Sequence, residues 1–391
     1  MNLIKAIWSR ITAFFSNQRN VFLLGLLVTL VATSLEVFRG RASNYYVYSD
    51  AVKCFWDGIS PYTMQFVDDH GRYFLYLPPF AVIFAPILLL PQYIGAFAWN
   101  VGNYVLMYLA VRTLPEPLRQ HRDRIFLFLL PILLQSVFCY QYNVVVCYIF
   151  LFAFTLLEKD KPLWAILLIM VSACTKIYGG IELALLFCYP KVWRNMGFAI
   201  LCGVVLMLSP LLNLGFDHPL GLYQEMADIL ATHNSTSDWA GILYTHLLKP
   251  VLLPNSRLVQ AGVLAVLGAV YLSLIRQRNS FTFRVSALAI VMGFIILFSD
   301  APETHTYIIA LAGYQMAFWL MPSRSRCDWT LYWLLFACFC IIPIDVLCPP
   351  AVWHFVRDTL NLDTYIFTLC WLYLIWITIR RPHDVKDAHT L

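Results

Sequence analysis

Residues 124–158, RIFLFLLPILLQSVFCYQYNVVVCYIFLFAFTLLE, decide the fold. Nothing charged occurs between Arg124 and Glu158, and the two apolar runs, 124–139 and 143–158, meet at the polar turn Gln141-Tyr142-Asn143. Continuous apolar runs of this length read as helices of a bilayer, where every backbone N–H and C=O must find its partner within the segment. Outward from this hairpin, similar runs recur at 21–38, 163–178, 180–189, 196–213, 258–275, 281–299, 306–322, 328–347 and 364–379. The chain of 391 residues is 60% hydrophobic and 13% charged, against about 25% charged in soluble domains. The expected fold class is therefore all-α, a polytopic membrane helix bundle in one integral membrane domain over 1–391.

Positive residues set the expected orientation. Lys5, Arg10, Arg19, Arg119, Arg122, Arg124, Lys159, Lys161, Lys191, Arg194, Arg276, Arg278, Arg324, Arg326, Arg380 and Arg381 fall in one set of connections. The alternate set, at 39–77, Gln141–Asn143, Lys176, 214–257, 299–305 and 348–363, is poor in Lys and Arg or mixed with acids. Both termini come out cytoplasmic, including a tail at 381–391, provided region 78–112 crosses once. Pro78, Pro79, Pro86 and Pro91 predict a short or re-entrant element over 78–92, followed by a span near 94–112. About twelve net crossings result. Residues 1–20 place Leu3, Ile7, Ile11 and Phe14 on one helical face, as in an interfacial amphipathic helix.

Net charge is +5 with no dense basic block, which argues against nucleic acid as a partner. The eleven cysteines stand without a C-x-x-C pair and predict neither a disulfide framework nor a metal site.

The chemically capable residues collect on the non-cytoplasmic side. The first outer loop, 39–77, is too long for a simple connection and rich in Tyr, Phe and Trp. In ILLIMVSACTKIYGG (166–180), Lys176 puts an ammonium at the end of an apolar run, where charge is costly and faces protein or a polar cavity unless it snorkels to the headgroups. It is positioned to receive an anionic lipid phosphate. Glu303 and His305 share the turn of FSDAPETHTYIIALAGY, able to hold phosphate or handle a proton. Arg41 is a further cation, Asp50 lies in the helical-looking SDAVKCFWDG, and Tyr48 and Tyr62 offer rings for a sugar or for an interfacial aromatic belt.

In order and spacing these pieces resemble family 87 of the glycosyltransferases, in the GT-C superfamily. They are NYYVYSDA (44–51), Gly58-x-x-Pro61-Tyr62, Tyr76-x-Pro78-Pro79-Phe80 with FAPILLLP, Gln141-x-Asn143 and Lys176-Ile-Tyr-Gly. SDAPETHTYIIALAG (299–313) looks like the later motif of the branch found in Bacteroidetes-type bacteria. The resemblance covers 40–190 best. It implies a bacterial inner-membrane enzyme that moves a hexose, typically mannose, from a polyprenyl-phosphate-sugar donor to a lipid or glycan acceptor outside the cytoplasm. Such enzymes invert the anomeric carbon and need no cofactor and no metal.

The family pattern opens on an aspartate that serves as base, and here that position is Asn44, whose amide cannot accept the proton. The base is then expected at Asp50 first, with Glu303, His305, Asp68 or Asp69 behind it. Lys176, His305 and Arg41 are the expected donor-phosphate groups, and Asn44, Tyr48, Tyr62, Gln141 and Asn143 the expected sugar or acceptor groups. The alternative from another class is a secondary transporter or lipid flippase. It suits broken helices, but the chain lacks evident two-half symmetry and its polar groups lie at one face.

Overall fold

A computed structural model describes residues 9–10, 13–236, 256–298, 303–344 and 347–380. The helix expected over 1–20 falls largely outside these residues, as do the tail 381–391 and much of 214–257. Every regular element among the described residues is helical.

The first outer segment folds into helices. α1 (Gln18–Phe38) is capped by the Asn17 side chain, which accepts from Arg19 N. α2 (Ser43–Trp56) follows a short bend, and α3 (Met64–His70) starts on the Thr63 hydroxyl and stops at Gly71 in the left-handed conformation. Between 79 and 88 the prolines allow only two short helices, α4 (Pro79–Ile83) and α5 (Ala85–Leu88). Ten residues rise about 15 Å as α-helix, half the hydrocarbon thickness. The 22-residue α6 (Gln92–Thr113) follows Pro91.

α7 (Arg122–Phe138) and α8 (Asn143–Glu158) form the hairpin read from the sequence. α9 (Pro162–Thr175) then gives way to a 3₁₀ helix over Ile177–Cys188, where periodicity alone predicts an ordinary apolar span. The later helices are α10 (Val192–Met207), α11 (Leu222–Thr236), α12 (Ser256–Ser273), α13 (Phe281–Leu297), α14 (Ile308–Trp319), α15 (Arg326–Phe336), α16 (Pro350–His354) and α17 (Leu362–Arg380).

Four helical stretches, Gln18–Phe38, Gln92–Thr113, Val192–Leu212 and Leu362–Arg380, are long and apolar enough to cross a membrane; shorter apolar helices include 143–158, 162–175 and 281–297. α8 and α14 are buried almost all round and form the centre of the bundle. Leu23, Leu27 and Val31 of α1 and Ile200, Leu201, Val204 and Val205 of α10 are exposed. Apolar stripes of that extent need lipid as their solvent. α13 and α14 approach closely because Gly313 leaves room for the Ala289 backbone; a Cβ there would lie 2.8 Å from Ala289 Cα.

The two ends of the bundle differ chemically. At one end, the turns before α8 and α14 and the break after α9 meet through polar side chains. At the other end, Glu158 receives Arg284 Nε at 2.6 Å and Nη2 at 2.8 Å, while Tyr189 Oη donates to Glu158 at 2.5 Å. That clamp ties together α8, α13 and the end of the 3₁₀ helix, close to Lys159, Lys161 and Lys191. Arg124 and Arg324 cover the Trp319 ring at the same end, 4.8 and 4.7 Å from its centroid.

Candidate active site

The polar end encloses a cavity of ≈ 660 Å³. Its polar lining is Asn44, Arg72, Gln141, Asn143, Lys176 and Glu303, joined by Tyr48, Tyr178 and Thr306. The rest of the lining is mostly apolar, with Ile181, Met226, Leu230, Leu264, Phe294 and Phe298, and includes Gln260, whose Nε2 donates to Phe298 O.

The end of α9 creates the lysine site. At Lys176 the backbone leaves the helix for an extended conformation, φ −145° and ψ 110°. Nζ then donates to Asn143 Oδ1 at 3.3 Å and lies 4.8 Å from the centroid of the Tyr178 ring and 5.5 Å from that of Tyr76. Burial lowers the Lys176 pKa to about 8, with the Glu303 carboxylate opposing the shift. Rings and amide oxygen leave the ammonium without a full counter-ion, a state that favours an incoming anion.

Asn143 organises the floor. Its Oδ1 also accepts from Tyr178 Oη at 2.5 Å, and its Nδ2 donates to Thr306 Oγ1 at 3.0 Å and Gln141 Oε1 at 3.3 Å. Gln141 Nε2 passes the chain on to Glu303 Oε2 at 3.0 Å. Behind Glu303, His305 Nε2 lies 2.5 Å from the same oxygen. The histidine holds the Glu303 pKa below its ordinary value against the effect of burial, and Lys176 and Arg72 add to that pull. For His305, burial disfavours the charged ring, yet the contacts with Cys139 and Glu303 prevail and raise the pKa to about 9. The pair is thus imidazolium and carboxylate at neutral pH, with Glu303 facing the cavity.

Six of the ten residues expected from the sequence line the cavity: Glu303, Lys176, Asn44, Tyr48, Gln141 and Asn143. His305 stands directly behind, in contact with Glu303 but off the lining. Three lie elsewhere. Asp50 does not line the cavity; its Oδ1 accepts from Lys53 Nζ at 2.9 Å, and its Oδ2 is 3.2 Å from His70 Nε2. Six positions along α2 turn a side chain by about 600°, so Asp50 cannot share the face of Asn44. Arg41 is exposed ahead of α2, off the cavity. Tyr62 is buried and donates its hydroxyl to Tyr76 O at 2.7 Å, supporting the wall without reaching the space.

The reading of the sequence did not include Arg72. It follows the left-handed Gly71, and its Nη1 donates to Asn44 Oδ1 at 2.6 Å. The available signal was a basic residue four positions ahead of Tyr76-x-Pro-Pro, in the first outer segment.

Residues 74–299, more than half of the chain, match the model of Glycosyltransferase family 87. The chain belongs to glycosyltransferase family 87. The family 87 match contains Tyr76, the Gln141–Asn143 turn and Lys176, ends just short of Glu303 and begins well after Asn44. No curated protein matches the chain. A membrane glycosyltransferase is therefore what this helical bundle is, and the cavity that gathers the titratable residues is its candidate active site.

Proposed function

We propose that the protein transfers a hexose, expected to be mannose, from a polyprenyl-phosphate-sugar donor to a lipid-linked or glycan acceptor on the extracytoplasmic face, inverting the anomeric carbon. The single observation that carries the mechanism is that Glu303 is the only carboxylate among the described residues lining the cavity. It lies in a hydrogen-bonded chain, through Gln141 and Asn143, that ends at Lys176.

In the proposed reaction the acceptor hydroxyl gives its proton to Glu303 while its oxygen bonds to the anomeric carbon. The bond from that carbon to the phosphate oxygen breaks, and the electron pair leaves with the lipid phosphate. The leaving group gains a negative charge in this step, and in this reading Lys176 stabilises it. His305 holds Glu303 ionised and oriented. Asn143 fixes Lys176 and Tyr178, and Gln141 fixes the free edge of Glu303. Asn44 and Tyr48 line the acceptor side, and the apolar wall of Met226, Leu264 and Phe298 suits the isoprenoid chain. A monophosphate donor of this kind calls for no metal or other cofactor.

The basic end of the bundle supports a cytoplasmic position for Lys159, Lys191 and Arg324. The cavity then opens outside, both termini are cytoplasmic, about twelve net crossings result, and a bacterial inner membrane is the setting. Purified protein supplied with a radiolabelled polyprenyl-phosphate hexose and a membrane extract as acceptor tests the reaction. Labelled product and free lipid phosphate should appear together, and Glu303→Gln should reduce both by about 10²–10⁴-fold. Substrate flux across sealed vesicles without lipid phosphate release would instead identify a transporter.

A further inference from the structure

The cavity contains one more cation than a sugar phosphate donor requires. Arg72, Lys176 and His305 contribute three positive charges to the surroundings of Glu303, and all three act on that carboxylate. Against +3 stand −1 from Glu303 and −1 from a phosphodiester donor, which leaves +1. Arg72 belongs to the first outer segment and shares its stretch of the lining with Asn44. Arg72 donates from Nη1 to Asn44 Oδ1 at 2.6 Å, and Asn44 Nδ2 donates to Cys139 O at 2.7 Å, which ties the guanidinium to the end of α7. An exposed arginine that merely meets water or headgroups needs no such orientation. Among the described residues Arg72 makes no direct ion pair with a carboxylate, and its described hydrogen bond, to Asn44, uses one of its five N–H donors. An amide at position 44 aims the guanidinium without neutralising it.

Given the transferase reading above, on which this step rests, the donor phosphate occupies the Lys176 side and the acceptor hydroxyl must face Glu303. The remainder of the acceptor then extends toward the first outer segment. We infer that Arg72 recognises the acceptor, and that the acceptor carries an oxyanion, a carboxylate or a phosphate, beside the hydroxyl that is glycosylated. The planar fork matches either group with two parallel hydrogen bonds.

The test uses full-length protein in nanodiscs of phosphatidylcholine and three probes: octyl glucuronide, octyl glucoside and dihexanoyl phosphatidylglycerol. Equilibrium binding should be saturable for at least one anionic probe and about tenfold or more tighter than for octyl glucoside. Which anionic probe binds distinguishes a sugar carboxylate from a lipid phosphate. Arg72→Gln should remove that preference, Arg72→Lys should retain part of it, and Asn44→Asp should weaken it by neutralising the guanidinium. Lys176→Met should leave it in place. Equal affinity for charged and neutral probes, no saturable binding of either anion, or loss in Lys176→Met and not in Arg72→Gln would overturn the inference. Lipid phosphate release in the transfer assay is a separate readout. A protein that releases lipid phosphate yet shows no Arg72-dependent preference retains its transferase function and loses this acceptor assignment.

Discussion

His305 Nε2 and Glu303 Oε2 lie 2.5 Å apart, and the contact biases both groups toward their charged forms. The Glu303 pKa is depressed, so the base stays ionised through the neutral range and becomes protonated only in acid. Activity should therefore fall on the acid side as Glu303 takes up its proton. Removing the imidazolium in His305→Gln raises the Glu303 pKa, which moves the acid limb of kcat/KM to higher pH. An unmoved acid limb in that variant would detach His305 from the base.

Lys176 sets the opposite limb. Its pKa is lowered to about 8, so the free enzyme loses the ammonium, and with it the phosphate site, as pH rises through that value. The kcat/KM profile should bend downward near pH 8. Lys176→Arg should move the bend to higher pH, because a guanidinium stays charged. Lys176→Met should lose about 10²–10³-fold in kcat, and wild-type turnover in that variant would exclude the lysine from the site.

Asp50→Asn separates the two carboxylates that the sequence offers as base. The Asp50 side chain is 38% exposed and paired with Lys53 and His70. An exposed pair of this kind contributes less than about 1 kcal/mol, so both yield and turnover should stay near wild type. A loss of turnover as large as that of Glu303→Gln would return the base to α2.

The legible part of the site was the part made by chain reversals. Gln141, Asn143, Lys176 and Glu303 each interrupt or end an apolar run, and in a bilayer such residues must lie at a boundary or a cavity. The hairpin at 124–158 and the proline-broken helices at 79–88 were legible for the same reason. The place of Asp50 off the cavity was not legible, because Asn44 and Asp50 differ by a rotation along α2 that composition does not encode. Arg72 was hidden because only the folded first outer segment brings it to Asn44, 28 positions away. The 3₁₀ geometry of Ile177–Cys188 was equally hidden, since an apolar run reads alike in either helix.

The clamp at the basic end should matter more for stability than for catalysis. Glu158 and Arg284 have side chains 9% and 15% exposed and are joined by two hydrogen bonds. Arg284→Met leaves a desolvated carboxylate beside Tyr189 and should cost about 3–5 kcal/mol. Thermal unfolding in detergent measures it, and pairing Arg284→Met with Glu158→Leu should recover much of the loss. Unchanged unfolding in the single variant would show that water already reaches the pair.

Orientation can be read from one engineered thiol. Gln120 belongs to the turn between α6 and α7, at the basic end. With Cys54, Cys139, Cys327 and Cys348 replaced by Ser, Gln120→Cys should resist an impermeant thiol reagent in intact cells and react in inverted vesicles. Labelling of intact cells would invert the proposed topology.

The 3₁₀ wall imposes a triplet grammar on this part of the chain. Ile177, Tyr178 and Ile181 line the cavity, while Gly179, Glu182, Leu185 and Cys188, at a spacing of three, are buried together with Leu186. Adding or removing three residues therefore keeps Tyr178 and Ile181, and the buried row from Gly179 to Cys188, on their own faces. Deleting one residue ahead of Ile181 would instead carry Glu182 into its place, setting a second acid among the cations that await phosphate. Length variation in this stretch is thus tolerable only in whole turns.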